Sequence, residues 1–166
     1  MNGYRSDSEE SFLYFAYGSN LKKSEIKGTC LLAEPLAKAL LPNHRLVFPR
    51  KSKNRGCGVA SVQSCPGKGV WGCVYRIPES ERANLYQREG CLEARDVSRN
   101  AYNAQMVEVL LDGDSEQPES ALTFQANPQP NPPLPSKEYV RTIVAGACEW
   151  GIDANYISNL MKTETR

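Results

Sequence analysis

The chain has 166 residues, of which 40% are apolar and 23% charged, with a formal net charge of +1. That length supports one domain with a sizeable core, and the composition is that of a soluble globular protein. Near-neutral charge with scattered lysines and arginines argues against nucleic acid or an anionic membrane surface as the main partner, and no apolar run approaches the ~20 residues that span a bilayer.

Taken in order, Met1 to Ser11 is polar and acidic, unlike a signal or transit peptide. It reads as a flexible tail (1–11) ahead of a single domain over 12–166. Phe12 to Tyr17 is an apolar and aromatic run that predicts a buried strand. Gly18-Ser19-Asn20 suits a tight turn, and Leu21 to about Lys27 a short helix. A strand that breaks here into a helix exposes unpaired N–H groups at the positive end of the helix dipole. Glycine lets a ligand approach that backbone, so the turn could cradle a small carboxylate or phosphate. The same residues also suit an ordinary corner with a Ser/Asn cap.

Ala33 to Leu41 predicts a strand, Pro42-Asn43 a turn and Arg45 to Phe48 the return strand. Pro49 to Arg55 is basic and polar, as in an exposed loop. Gly58 to Val62, the turn residues Cys65 to Gly69, and Val70 to Ile77 together predict a hairpin. Gly72 marks a bulge or a close backbone approach within it. Ser80 is placed to cap a helix carrying Leu85 and ending at Glu89-Gly90. Cys91 to Ala101 is polar and irregular. Tyr102 to Leu111 alternates as a strand, Asp112 to Asp114 turns, and Ala121 to Ala126 is a further strand. The proline-rich Asn127–Pro135 stretch predicts an extended lid or wrap. Ser136 caps a helix over Lys137 to Glu149, with Val140, Ile143, Val144 and Ala147 on one face. Gly151 ends it, and Asp153 caps a last helix carrying Ile157, Leu160 and Met161. The expected class is α+β: a small mixed β-barrel or curled sheet with flanking helices.

Six cysteines, Cys30, Cys57, Cys65, Cys73, Cys91 and Cys148, contain no C-x-x-C pair, and His44 is the lone histidine. Neither a zinc site nor a Cys/His nucleophile is expected, and the thiols read as free and cytosolic.

The run Tyr14-Phe15-Ala16-Tyr17-Gly18-Ser19-Asn20-Leu21 resembles the signature loop of the gamma-glutamylcyclotransferase family. Gly58 to Val62 with Val70 to Tyr75 is similar to that family's central hairpin. Tyr86-Gln87-Arg88-Glu89-Gly90 is similar to the helix end carrying its catalytic glutamate. Ser136 to Tyr156 is similar to its C-terminal helices. The blocks follow the family's order over about residues 12 to 161. The resemblance implies an enzyme that converts a γ-glutamyl-amino acid to 5-oxoproline and a free amino acid. It implies Glu89 as general acid/base and Tyr17, Gly18, Ser19, Asn20, Leu21, Tyr102 and Tyr139 as substrate-binding residues. No cofactor is implied, since the nucleophile is the substrate's own amine. The implied setting is a cytoplasmic homodimer in glutathione metabolism, with a small-molecule γ-glutamyl partner and neither nucleic acid nor membrane.

By position alone, Glu89 would be a solvated charge at a helix C-terminus, a negative end that raises the pKa of a nearby acid. Tyr17, Tyr102 and Tyr139 could each be core aromatics instead of pocket residues. Cys91 to Ala101 is longer than its counterpart in the family. That keeps open a γ-glutamyl amine or γ-glutamyl-protected metabolite as substrate. A non-catalytic binding module of the same fold is the remaining alternative.

Overall fold

The structure, a computed structural model, describes residues 9–166. Five strands close into a barrel in the order β1-β3-β2-β4-β5. They are β1 (Ser11–Ala16), β2 (Glu34–Lys51), β3 (Gly58–Pro78), β4 (Tyr102–Leu111) and β5 (Pro118–Ala126). β1 runs antiparallel to β3, from Ser11↔Pro78 to Ala16↔Cys73. Its other edge meets β5 in parallel at Tyr14↔Leu122, which closes the barrel. β4 and β5 form a hairpin about Asp112 and Gly113, both with positive φ. The expected tail lies outside the described residues from Met1 to Ser8. Ser11 already belongs to β1, and Glu10 accepts a bond from the Glu79 N–H at 2.8 Å.

The turns expected at Pro42-Asn43 and Cys65–Gly69 do not reverse the chain. They face one another across a single long β2–β3 ladder, where Pro42 pairs with Gly69 and His44 with Ser64. Asn43 (φ 58°) and Gly67 (φ 80°) are bulge positions, tied by a 3.2 Å bond from the Gly67 N–H to Asn43 Oδ1. Gly58–Val62 and Val70–Ile77 therefore pair with β2, not with each other. Bulges and reversals draw on the same residues, so local chemistry cannot tell them apart. The true reversal falls at Ser52–Cys57, and Pro49 to Lys51 extend β2 instead of joining a loop.

Gly72 confirms a close approach. A Cβ there would sit 2.2 Å from the Ala16 carbonyl oxygen and 2.7 Å from the Phe15 ring. Neither neighbour can retreat, because Ala16 is in the ladder and Phe15 is fully buried in the core. Gly72→Ala is expected to destabilise the fold by ~2–3 kcal/mol, read as a lower urea midpoint at unchanged slope. A variant as stable as wild type would show that the β1–β3 contact can relax.

The helices are α1 (Lys23–Lys27), α2 (Arg82–Arg88), α3 (Lys137–Glu149) and α4 (Ala154–Met161). Ser136 caps α3, accepting from the Tyr139 N–H at 3.1 Å, and Asp153 caps α4. Ser80 is no cap: it lies in a 3-10 turn, Glu79–Glu81, and donates to Glu9 at 2.6 Å. α3 presses on the turn after β1, where a Cβ on Gly146 would lie 2.5 Å from Lys22 N. Trp150 Nε1 donates to the Leu21 carbonyl at 2.9 Å. These contacts fix the turn relative to the barrel. The proline-rich stretch is a wrap. Its Gln129 N–H donates to Pro49, and its Leu134 carbonyl accepts from Gly58, so it lies along the β2–β3 hairpin. Among the described residues, no helix is long and apolar enough to cross a membrane.

Candidate active site

The end of β1 delivers Tyr17 and then Gly18, which leads into a 3-10 turn, Ser19–Leu21. Two bonds close that turn: Leu21 N–H to Gly18 O and Lys22 N–H to Ser19 O, both 3.1 Å. Ser19 and Asn20 open it, so their N–H groups have no partner within it. α2 ends at Arg88, and Glu89 follows as its C-cap, its N–H donating to the Leu85 carbonyl at 3.0 Å. Gly90, with φ 63°, then turns the chain away. The Glu89 side chain thus projects from a fixed point. Tyr102 opens β4, and Tyr139 sits in the first turn of α3.

These residues meet in one cleft. Tyr17, Gly18, Ser19, Asn20, Glu89, Tyr102 and Tyr139, all expected from the sequence, line it. Leu21 does not: its side chain is fully buried in the core and its N–H is spent on Gly18. Three lining residues were not foreseen: Tyr14, Ala60 and Phe124. Tyr14 had a signal, since a phenol in a buried strand needs a polar partner. Ala60 and Phe124 had none, because they reach the cleft only through barrel closure.

The phenols are arranged by their hydroxyls. Tyr17 donates to the Phe124 carbonyl, and Tyr102 donates to the Ala60 carbonyl at 2.6 Å. Tyr139 accepts from the Ala60 N–H at 2.9 Å. The Asn20 side-chain amide donates to Tyr14 at 3.2 Å and to Glu89 Oε1 at 3.4 Å. Burial, and secondarily the nearby Glu89 carboxylate, push Tyr14 and Tyr17 far above the usual phenol range. Burial also raises Tyr102 and Tyr139. All four stay protonated at neutral pH.

Glu89 is pushed up from 4.5 to about 7. Burial is the cause, opposed by the Arg88 guanidinium. The folded protein then holds a proton on Glu89 that the unfolded chain releases above about pH 4.5. Glu89 therefore favours the fold fully below pH 4.5, and that contribution is lost as pH rises through about 7. Glu89→Gln cannot ionise. It is expected to be more stable than wild type at pH 8 by up to ~3 kcal/mol, with the gap closing by pH 4.5. Urea unfolding of both proteins at several pH values checks this; a gap independent of pH would contradict the burial of the carboxyl.

Among the described residues, no three His, Cys, Asp or Glu side chains cluster as metal ligands. His44 lies on β2 with Nδ1 2.9 Å from the Pro42 carbonyl, apart from the cleft lining. The six cysteines are free, with Cys148 exposed.

The model of the AIG2-like family matches residues 69–160, which include the partly buried Glu89, so the barrel is an AIG2-like domain. The chain is 30% identical to a gamma-glutamylcyclotransferase of Bos taurus, covering 96% of this chain and 82% of that protein. It is 31% identical to a gamma-glutamylcyclotransferase of Homo sapiens, covering 94% and 80%. A solved gamma-glutamyl cyclotransferase structure superimposes with a TM-score of 0.83 at 28% identity, over 95% of this chain and 90% of that one. The chain belongs to the gamma-glutamylcyclotransferase family.

Proposed function

We propose that this chain is a gamma-glutamylcyclotransferase acting on γ-glutamyl-amino acids, with Glu89 as general acid/base. The observation that carries the reading is a single carboxyl, raised to about 7, facing the Gly18–Asn20 turn in a cleft of protonated phenols. The substrate α-carboxylate sits on the free N–H groups of Ser19 and Asn20, beside Gly18. Leu21 takes no part in this contact. Ionised Glu89 accepts a proton from the α-ammonium. The freed amine attacks the γ-carbonyl carbon, the lactam ring closes and the C–N bond to the leaving amino acid breaks. The attacking nitrogen loses two protons in all, and the leaving nitrogen gains two, with Glu89 relaying them. Tyr17, Tyr102 and Tyr139 wall the site and hold the bent substrate, and that bending supplies much of the rate. The nucleophile belongs to the substrate, so no cofactor is needed.

A panel of γ-glutamyl-amino acids, γ-glutamyl amines and γ-glutamyl-protected metabolites, scored for 5-oxoproline, tests the reading. Release from the amino acids is expected. Release from the amines alone would move the substrate class, and no release at all would leave a binding module. The panel matters because Cys91–Ala101, which joins Glu89-Gly90 to Tyr102, is a hydrogen-bonded segment and not a loose loop. Buried Asn100 accepts from the Leu92 N–H and Arg95, and Asn127 donates to the Val97, Asn100 and Ala101 carbonyls.

The proposal extends to a cytoplasmic homodimer in glutathione metabolism, without nucleic-acid or membrane partners; balanced charge supports the last point. Chelator treatment and native thiol alkylation, which would reach exposed Cys148, are expected to leave turnover within about two-fold. Activity lost to a chelator and restored by zinc would overturn the mechanism.

A further inference from the structure

Asn20 is 6% exposed, and its side-chain amide is only half satisfied. Nδ2 faces Tyr14 and Glu89 Oε1, the orientation in which ionised Glu89 accepts. Oδ1 is buried and has no donor among the described residues. Buried side-chain carbonyls are rarely left so, and an exception calls for a ligand or another explanation. Asn20 lines the cleft. Its Oδ1 shares a carbon with the nitrogen that bonds Glu89, so a donor reaching Oδ1 also stands beside that carboxylate. The bond Oδ1 lacks is an N–H donor, and a cationic one makes the stronger bond.

We propose that Asn20 Oδ1 accepts an N–H of the substrate α-ammonium and holds that nitrogen against Glu89. The role rests on the cyclotransferase reading above. One N–H proton passes to Glu89, a second stays bonded to Asn20, and the emerging lone pair is turned toward the γ-carbonyl. Asn20 thus serves the substrate twice: its backbone N–H meets the carboxylate and its side chain meets the amine. Both groups sit on the same substrate carbon, which fits a single residue reading that carbon. The pairing also explains why an amide stands here. A carboxylate would set a second negative charge beside Glu89, and an apolar side chain would leave the Glu89 contact unmade.

The test is binding by calorimetry in a Glu89→Gln background, which keeps substrate intact. The probes are γ-glutamylalanine and glutarylalanine, identical except that the second lacks the α-amine. With Asn20 present, the amine-bearing probe is expected to bind at least tenfold more tightly. Asn20→Leu should abolish that preference while leaving glutarylalanine within about two-fold. Asn20→Asp, which keeps an oxygen acceptor, should preserve the preference, and it decides the matter alone if the leucine variant does not fold. A preference that survives Asn20→Leu overturns the role. So does an equal loss for both probes, or a preference lost in Asn20→Asp. If wild type releases 5-oxoproline from γ-glutamylalanine, such a result defeats only the Asn20 role. If wild type releases none from any γ-glutamyl compound, the functional reading falls and this role with it.

Discussion

Glu89→Gln is expected to lose ~10²–10⁴-fold in turnover while binding a γ-glutamyl-amino acid about as well as wild type, the signature of a removed general base. The substitution keeps the size of the side chain and an oxygen for the Asn20 amide, which now lies 3.4 Å from Oε1. It removes only the ability to take a proton. The other titratable groups lining the cleft are phenols held protonated by burial, so none can replace it at neutral pH. Glu89→Asp keeps the base one methylene too short and should retain a little activity. In wild type, kcat/KM is expected to fall as pH drops through about 7, because burial places the carboxyl's titration there and only the ionised form accepts the proton. That acidic limb should be absent from the residual activity of Glu89→Gln. Steady-state kinetics with calorimetry on the same proteins decides it. A glutamine enzyme within a few-fold of wild type would exclude Glu89 as the base and with it the proposed mechanism.

Gly18→Val is expected to lower turnover at least ~10²-fold with an unchanged circular dichroism spectrum, whereas Gly18→Ala should stay within about tenfold of wild type. The contrast follows from the space around the residue. A Cβ at Gly18 would meet the Tyr139 hydroxyl at 3.4 Å and the Ala60 Cβ at 3.5 Å, ordinary contact distances. Its φ of −106° is negative, so a left-handed backbone is not what calls for glycine here. One methyl fits. The two further methyls of valine must extend into the cleft beside the N–H groups that meet the carboxylate. Moving a bound substrate by about 1 Å can cost 10²-fold in rate. The barrel does not depend on Gly18, since the β1–β3 ladder ends at Ala16↔Cys73. A folded valine variant with wild-type kinetics would remove this turn from the site.

What could be read from the residues alone was whatever depends on near neighbours in the chain. The strand read over Tyr102 to Leu111 matches the bounds of β4, and its alternation shows where exposed Met106 and Glu108 flank Val107 and precede buried Val109. The caps Ser136 and Asp153, and Gly90 past the end of α2, follow from hydrogen bonds and φ angles that span only a few residues. The turn at Gly18-Ser19-Asn20 and the acid at Glu89 were legible through their resemblance to a known loop and helix end. What only the folded chain decides is which distant residues share a volume. Asn43 and Gly67 look like two turns but answer one another as a bulge, because the pairing partner is chosen by the barrel and not by the dipeptide. Leu21 looked like part of the substrate loop, yet the 3-10 turn takes its N–H and the core takes its side chain. Ala60 and Phe124 reach the cleft only because β1 closes against β5. The shift of Glu89 belongs to the same class. A helix end acts locally and could be anticipated, but desolvation is set by groups from β1, β4 and α3 that converge only when the barrel shuts.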